Sequence, residues 1–278
     1  MQIGIRLHDT KPGTIEERLK NSREQGFTCV HLALSKTMKE ISLEPQALTC
    51  GFSRQVKRWF DDNRMDIAVL GCYLNLANPD PEALKKIQEM YFAHIRFASL
   101  LGCGVVGTET GAPNTTYTFE EACWSEEALD TFITNLRPVV EYAEKLGVLF
   151  AIEPVWCHIV NTSKRALKVL KEINSPNLRI IMDPVNLLYI GNYENRDRIV
   201  DELLEDLGEY TEVLHLKDFV IEDGKAVSVA AGTGLMNYDR ILSYMKAKKP
   251  YIYATLENTT PENAAAARKF LEERYNAL

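Results

Sequence analysis

The sequence predicts a single (β/α)8 barrel. A unit of amphipathic helix, stopping glycine and short apolar run recurs along the chain, and eight such runs can be counted. The 278 residues suit one such barrel, spanning residues 1–278, better than one small domain.

The runs are Ile3–Leu7, Cys29–Leu34, Ile67–Cys72, Gly104–Thr108, Leu149–Glu153, Arg179–Asp183, Val213–Lys217 and Ile252–Glu257. They do not alternate cleanly between apolar and polar, as expected of parallel strands covered on both faces. Helical patterns lie between them. One starts at Thr14 and stops at Gly26, a second runs from Pro81 to Gly102, a third from Glu126 to Gly147. Glycine suits the left-handed residue that ends a helix. An open doubly wound sheet is the rival architecture, and it carries a Gly-rich phosphate loop after its first strand. Here that strand ends in Arg6-Leu7-His8-Asp9. Longer connections span 35–51, 73–79 and 108–124. Connections that follow strand ends form the catalytic face of a barrel.

Composition narrows the function. Hydrophobic residues are 46% and charged residues 26%, a globular profile, and the net charge of −7 argues against a nucleic-acid partner. The six cysteines show no CxxC spacing, and several sit in apolar runs as small hydrophobes. That pattern belongs to a reducing compartment. With no secretory leader pattern at the start and no stretch of roughly 18 apolar residues, a cytoplasmic location and no membrane contact are expected.

Polar residues gather where the last four runs end, at Glu153, Asp183, His215 and Glu257. Each follows several apolar residues, and a charge at that depth is costly unless it is paired or bound to a metal. Four such residues on neighbouring strands suggest one shared cation. Three carboxylates and one imidazole suit Mn²⁺, Mg²⁺, Co²⁺ or Zn²⁺ rather than a thiolate-type structural site. Taken singly, each carboxylate could equally cap the next helix or pair with a lysine. Three negative ligands around a +2 ion favour a neutral polyol or keto-sugar over a multiply charged ligand, with a phosphate distant from the ion left open.

The segments Glu153-Pro154, Asp183-Pro184-x-Asn186, His215-Leu216-Lys217-Asp218 and Leu256-Glu257-Asn258 resemble the xylose-isomerase-like superfamily. Gly232-Thr233-Gly234-Leu235-Met236-Asn237-Tyr238 resembles that group's G-x-G-x-x-[DN]-[YFW] loop. The group includes sugar isomerases and epimerases, ketoinositol enzymes and endonuclease IV. In its ketose 3-epimerases two glutamates bind the metal and handle protons on opposite faces of the substrate. The resemblance implies those roles for Glu153 and Glu257. Many members carry His where this chain has Asn186, which can bond a substrate hydroxyl but cannot carry a proton. The three-metal DNA-cleaving site of endonuclease IV is not expected, because Tyr73 and its neighbours supply no histidine and 222–226 lacks a DxH pair.

Further candidates for substrate contact are Asn186, His158, Lys217, His8, Glu109 and Trp156. His158 follows Glu153 by five residues and is expected above the metal, as substrate ligand or acid. Lys217 points to the same side as His215 by strand alternation, and pairing with Asp218 or Glu257 is its structural alternative. His8 and Glu109 reach the rim or serve as ordinary loop residues. Trp156 and Tyr73 offer an apolar wall or are simply core, and His94 reads as structural. The expected partner is a small sugar or polyol, and self-association into a homo-oligomer stays open. The leading expectation is a metal-dependent sugar isomerase or epimerase. A keto-inositol or keto-sugar lyase comes next, then a non-catalytic sugar-binding barrel and an endonuclease.

Overall fold

The computed structural model describes all 278 residues. In chain order the strands are β1 (Gln2–Arg6), β2 (Cys29–Leu32), β3 (Asp66–Gly71), β4 (Val105–Glu109), β5 (Leu149–Glu153), β6 (Leu178–Met182), β7 (Thr211–Leu216), β8 (Asp218–Glu222), β9 (Lys225–Val229) and β10 (Tyr253–Leu256). The helices are α1 (Ile15–Glu24), α2 (Leu34–Thr37), α3 (Cys50–Asn63), α4 (Pro81–Leu101), α5 (Glu126–Leu146), α6 (Ser163–Ile173), α7 (Arg196–Leu207), α8 (Asp239–Lys248) and α9 (Ala264–Ala277). Strands β1 to β7 and β10 close a parallel barrel, with β10 between β7 and β1.

The sequence sets the helix ends. Thr14 and Glu17 form a reciprocal capping box at the start of α1. Asp80 caps α4 ahead of Pro81, and Gly102 ends that helix at φ 81°. The outer core lies between strands and helices, with Phe27, Tyr91, Phe97, Phe132 and Phe150 fully buried. His94 is buried in α4, where Nδ1 lies 3.0 Å from the Met90 carbonyl. No helix is long and apolar enough to cross a membrane, and all six cysteines are free.

The barrel interior positions the site. Its floor is an apolar cluster of Val69, Val105, Ala151, Ile181 and Val213. Side chains on one face of a strand recur every second residue. Two residues beyond Ala151, Ile181 and Val213 come Glu153, Asp183 and His215. The apolar floor thus fixes which side chains rise toward the C-terminal ends of the strands.

One element goes beyond the sequence reading. The segment after β7, read there only for its lack of a DxH pair, is the antiparallel hairpin β8–β9. Its turn is Asp223-Gly224, both with left-handed φ of 49° and 71°, the combination that suits a two-residue hairpin turn.

Candidate metal centre and substrate cavity

Glu153 ends β5, Asp183 directly follows β6, His215 lies in β7 and Glu257 directly follows β10. They are nearly sealed from solvent, at 2%, 2%, 0% and 5% exposure. One potential ligand atom from each lies within 4.8 Å of all the others. Nδ1 of His215 stands between the two glutamates, 3.0 Å from Glu153 Oε1 and 3.2 Å from Glu257 Oε1. Its Nε2 is buried without a hydrogen-bond partner. Three hard carboxylates and one imidazole at this spacing fit a divalent ion.

Lys217 ties the cluster together. Its ammonium lies 2.7 Å from Asp183 Oδ2 and 2.9 Å from Glu257 Oε2, and donates to Asn186 Oδ1 at 2.7 Å. That last bond fixes the amide orientation of Asn186, whose Nδ2 then donates to Glu153 Oε1 at 2.7 Å. Asp183 Oδ1 accepts from the backbone N–H groups of Val185 and Asn186, which turns Asn186 toward the cluster. Arg6, at the end of β1, places Nη1 3.4 Å from Glu257 Oε2 while its Nε donates to Asp9 at 2.8 Å.

Lys217 is not paired with Asp218. The Asp218 carboxylate instead accepts backbone N–H bonds from Phe219, Gly232 and Met236 at 2.9, 3.1 and 2.8 Å. It thereby organises the glycine-containing loop read in the sequence. A side chain at Gly234 would run into Asp218 Oδ1 and the Phe219 carbonyl. Tyr238 closes the loop by donating its hydroxyl to the Lys217 carbonyl at 2.9 Å.

The cluster sets its own electrostatics. Burial favours a protonated Glu257, but Lys217, His215 and Arg6 outweigh it and hold this carboxyl well below the usual range. Burial raises Asp183 to about 6 against the pull of Lys217. Burial would lower His215, yet the carboxylates of Glu153 and Glu257 push it up to about 9.

A cavity of about 140 Å³ opens above the cluster. Glu153, Lys217 and Glu257 form one side of it, and Arg6, His8, His31, Lys36, Tyr73 and Glu109 the remainder. His31 stacks on His215 with ring centroids 5.1 Å apart and planes at 11°. Its Nε2 lies 3.2 Å from the Tyr73 hydroxyl. Gly71 allows this approach, since a Cβ there would lie 2.5 Å from His31 Nε2.

The sequence candidates divide. Lys217, His8 and Glu109 line the cavity, and Asn186 joins the cluster through Lys217 and Glu153. His158 and Trp156 are not in the lining. His158 packs on Tyr117 behind Glu109, its Nδ1 3.9 Å from Glu109 Oε2, and burial lowers its pKa to about 4. Trp156 stacks on Tyr189 at 5.1 Å and belongs to an aromatic rim with Phe119. Tyr73, read as a wall or core residue, is a wall. Sequence reasoning missed Arg6, His31 and Lys36 as site residues. Alternation from Gly4 would have found Arg6, and strand pairing sets His31 beside it.

Residues 19–274 match the family model described as xylose isomerase-like TIM barrel. The chain belongs to this family. It is 27% identical over 157 residues to a probable L-ribulose-5-phosphate 3-epimerase, UlaE, of Mycoplasma pneumoniae (strain ATCC 29342 / M129 / Subtype 1). That match covers 52% of this chain and 48% of the relative, so the chain spans about half the length of the curated relative. Among solved family-like barrels, a D-tagatose 3-epimerase-like protein superposes with a TM-score of 0.77 at 21% identity, covering 100% of this chain and 98% of that one. The probable 3-DHS dehydratase AsbF of Bacillus anthracis gives 0.76 at 17% identity, covering 98% and 99%. These structural likenesses speak to the fold.

Proposed function

We propose that this family member is a divalent-metal-dependent isomerase or epimerase of a small keto-sugar, working by proton transfer at a carbon next to a carbonyl. One observation carries the reading: two buried glutamates, Glu153 and Glu257, flank a single imidazole at 3.0 and 3.2 Å and both line the cavity. The epimerase among its sequence relatives supports it.

Glu153, Asp183, His215 and Glu257 would hold the ion. When bound, a divalent ion supplies polarisation of the substrate carbonyl and its neighbouring hydroxyl, which acidifies the intervening C–H. The chain's residues do the rest. In Glu153, Oε1 is committed to Asn186 and His215, so Oε2 is the oxygen left to take or give a proton. Glu257 stays ionised through Lys217, His215 and Arg6 and serves the opposite face as the second proton-handling group. Asn186 and Lys217 fix both carboxylates, so little reorganisation accompanies the transfer. Such acid–base assistance contributes roughly 10²- to 10⁴-fold.

A second reading, loss of water from a keto-inositol or keto-sugar, shares the proton abstraction. Glu109 favours it. Burial first, then the Glu257 charge, raises its carboxyl, and it accepts from the Tyr117 hydroxyl at 3.4 Å. A carboxyl of that kind beside the cavity is an acid for a departing hydroxyl.

Incubation of the Mn²⁺-loaded protein with a ketose panel in deuterated water tests both. Carbon-bound deuterium with an epimer or isomer as product is expected. Net loss of water would transfer the assignment to the lyase, and no exchange with any ketose would remove the epimerase and the keto-sugar lyase.

A further inference from the structure

We propose that the β1–β2 rim of the cavity, formed by Arg6, His8 and Lys36, receives an anionic group, a carboxylate or phosphate borne by the substrate away from its reacting carbon. This rests on the keto-sugar reading above and narrows its substrate class.

The three side chains come from β1, the turn after it and α2, and all line the same 140 Å³ cavity as Glu153 and Glu257. A ligand touching the two glutamates therefore lies within reach of this rim. Lys36 makes no ion pair and no hydrogen bond; its ammonium lies 5.4 Å from the centre of the Tyr73 ring. That cation–π contact sets the ammonium of this exposed lysine beside the Tyr73 wall of the cavity. Arg6 is anchored through Nε to Asp9 and through Nη1 toward Glu257, which leaves Nη2 without a protein partner. The nearest carboxylate to His8, Asp9, is 3.8 Å from Nε2, and its buried Nδ1 has no partner. A free ammonium, a free guanidinium edge and an imidazole lining one space make a donor set for a multi-oxygen anion.

Charge agrees with this. The three carboxylates of the cluster alone would favour a neutral ligand near the ion. Arg6, Lys36 and Lys217 line the same cavity and offset them. Glu109 faces the space too and makes no ion pair with Lys36, so the lysine keeps its charge free for a ligand.

Calorimetry on the Mn²⁺-loaded full chain tests the inference, with two matched sets: D-tagatose, its 6-phosphate and tagaturonate; and L-ribulose with its 5-phosphate. An anionic member is expected to bind about tenfold more tightly than its neutral parent, the scale of one charge-assisted hydrogen bond. The ratio should fall to near one in Lys36→Met and return in Lys36→Arg. Whether phosphate or carboxylate wins identifies the source of the charge. Neutral parents binding as tightly as their anions, or a ratio unchanged in Lys36→Met, overturns the inference. The readout is binding, so an intact ratio without deuterium exchange would contradict the epimerase reading alone.

Discussion

The ammonium of Lys217 lies 2.9 Å from Oε2 of Glu257, and both groups are almost fully buried. The same ammonium reaches Asp183 at 2.7 Å, so one cation compensates two of the three carboxylates in the candidate metal centre. An ion pair in such a place is not a measure of stability by itself, because desolvation opposes the Coulomb gain. Breaking it leaves the Asp183 carboxylate buried without its paired cation and Glu257 with Arg6 and His215 alone.

Lys217→Met is therefore expected to destabilise the metal-free protein by roughly 3–5 kcal/mol. It should also free the Asn186 amide, which Lys217 now orients. Urea unfolding of the two proteins in the presence of a chelator checks the first effect. A loss below about 1 kcal/mol, the range of exposed pairs, would show that the cluster is wetter than the burial implies.

Glu257→Gln removes one of the two carboxylates proposed to handle protons while keeping the volume. Deuterium exchange should fall by roughly 10²- to 10⁴-fold, with the far-UV spectrum and unfolding cooperativity retained. Full exchange activity in this variant would eliminate the two-glutamate mechanism.

Metal binding should depend on pH through His215. Its folded pKa, about 9 against an ordinary 6.5, is raised by Glu153 and Glu257 in spite of burial. A raised value means that the protonated ring stabilises the metal-free fold fully below pH 6.5, and that this contribution is lost as pH climbs through 9. A metal ligand must be the neutral ring, so each binding event releases that proton. Mn²⁺ affinity is then expected to rise about tenfold per pH unit between pH 7 and 9. A flat profile in calorimetric titrations across that range would exclude a protonated His215 in the metal-free protein.

Asp218→Ala separates loop architecture from the metal centre. The carboxylate accepts three backbone N–H bonds, one from Phe219 in β8 and two, from Gly232 and Met236, in the loop that follows β9. Leaving these donors unsatisfied should cost on the order of 1–3 kcal/mol in chemical denaturation. The metal stoichiometry should stay at one ion, since Asp218 contacts none of the four cluster residues. Loss of the ion in a folded variant would mean that the loop holds Lys217 and His215 in place.

The barrel was legible because its signals are local and repeated. Helix-stopping glycines at Gly102 and Gly147 and unbroken apolar runs recur at barrel spacing, and the structure places a strand at each run. The cluster was legible because Glu153, Asp183, His215 and Glu257 each interrupt an apolar run at its end. Arg6, His31 and Lys36 were not. Arg6 and His31 sit in runs where a single polar side chain does not reveal its face until the neighbouring strand's register is known. Lys36 lies on a helix of four residues in a connection whose course depends on tertiary contacts. The hairpin at Asp223-Gly224 did carry a local signal, a two-residue turn between alternating segments, and was passed over. His158 was expected above the metal from its distance to Glu153 in sequence, but the loop turns it toward Tyr117 instead.

The most direct test of the account is the divalent-metal content and binding stoichiometry of the purified chain, measured by elemental analysis and by Mn²⁺ titration after chelation. One ion per chain is predicted, lost in His215→Ala and in Asp183→Ala variants that remain folded. A wild-type protein that carries no divalent ion and takes up none would contradict it.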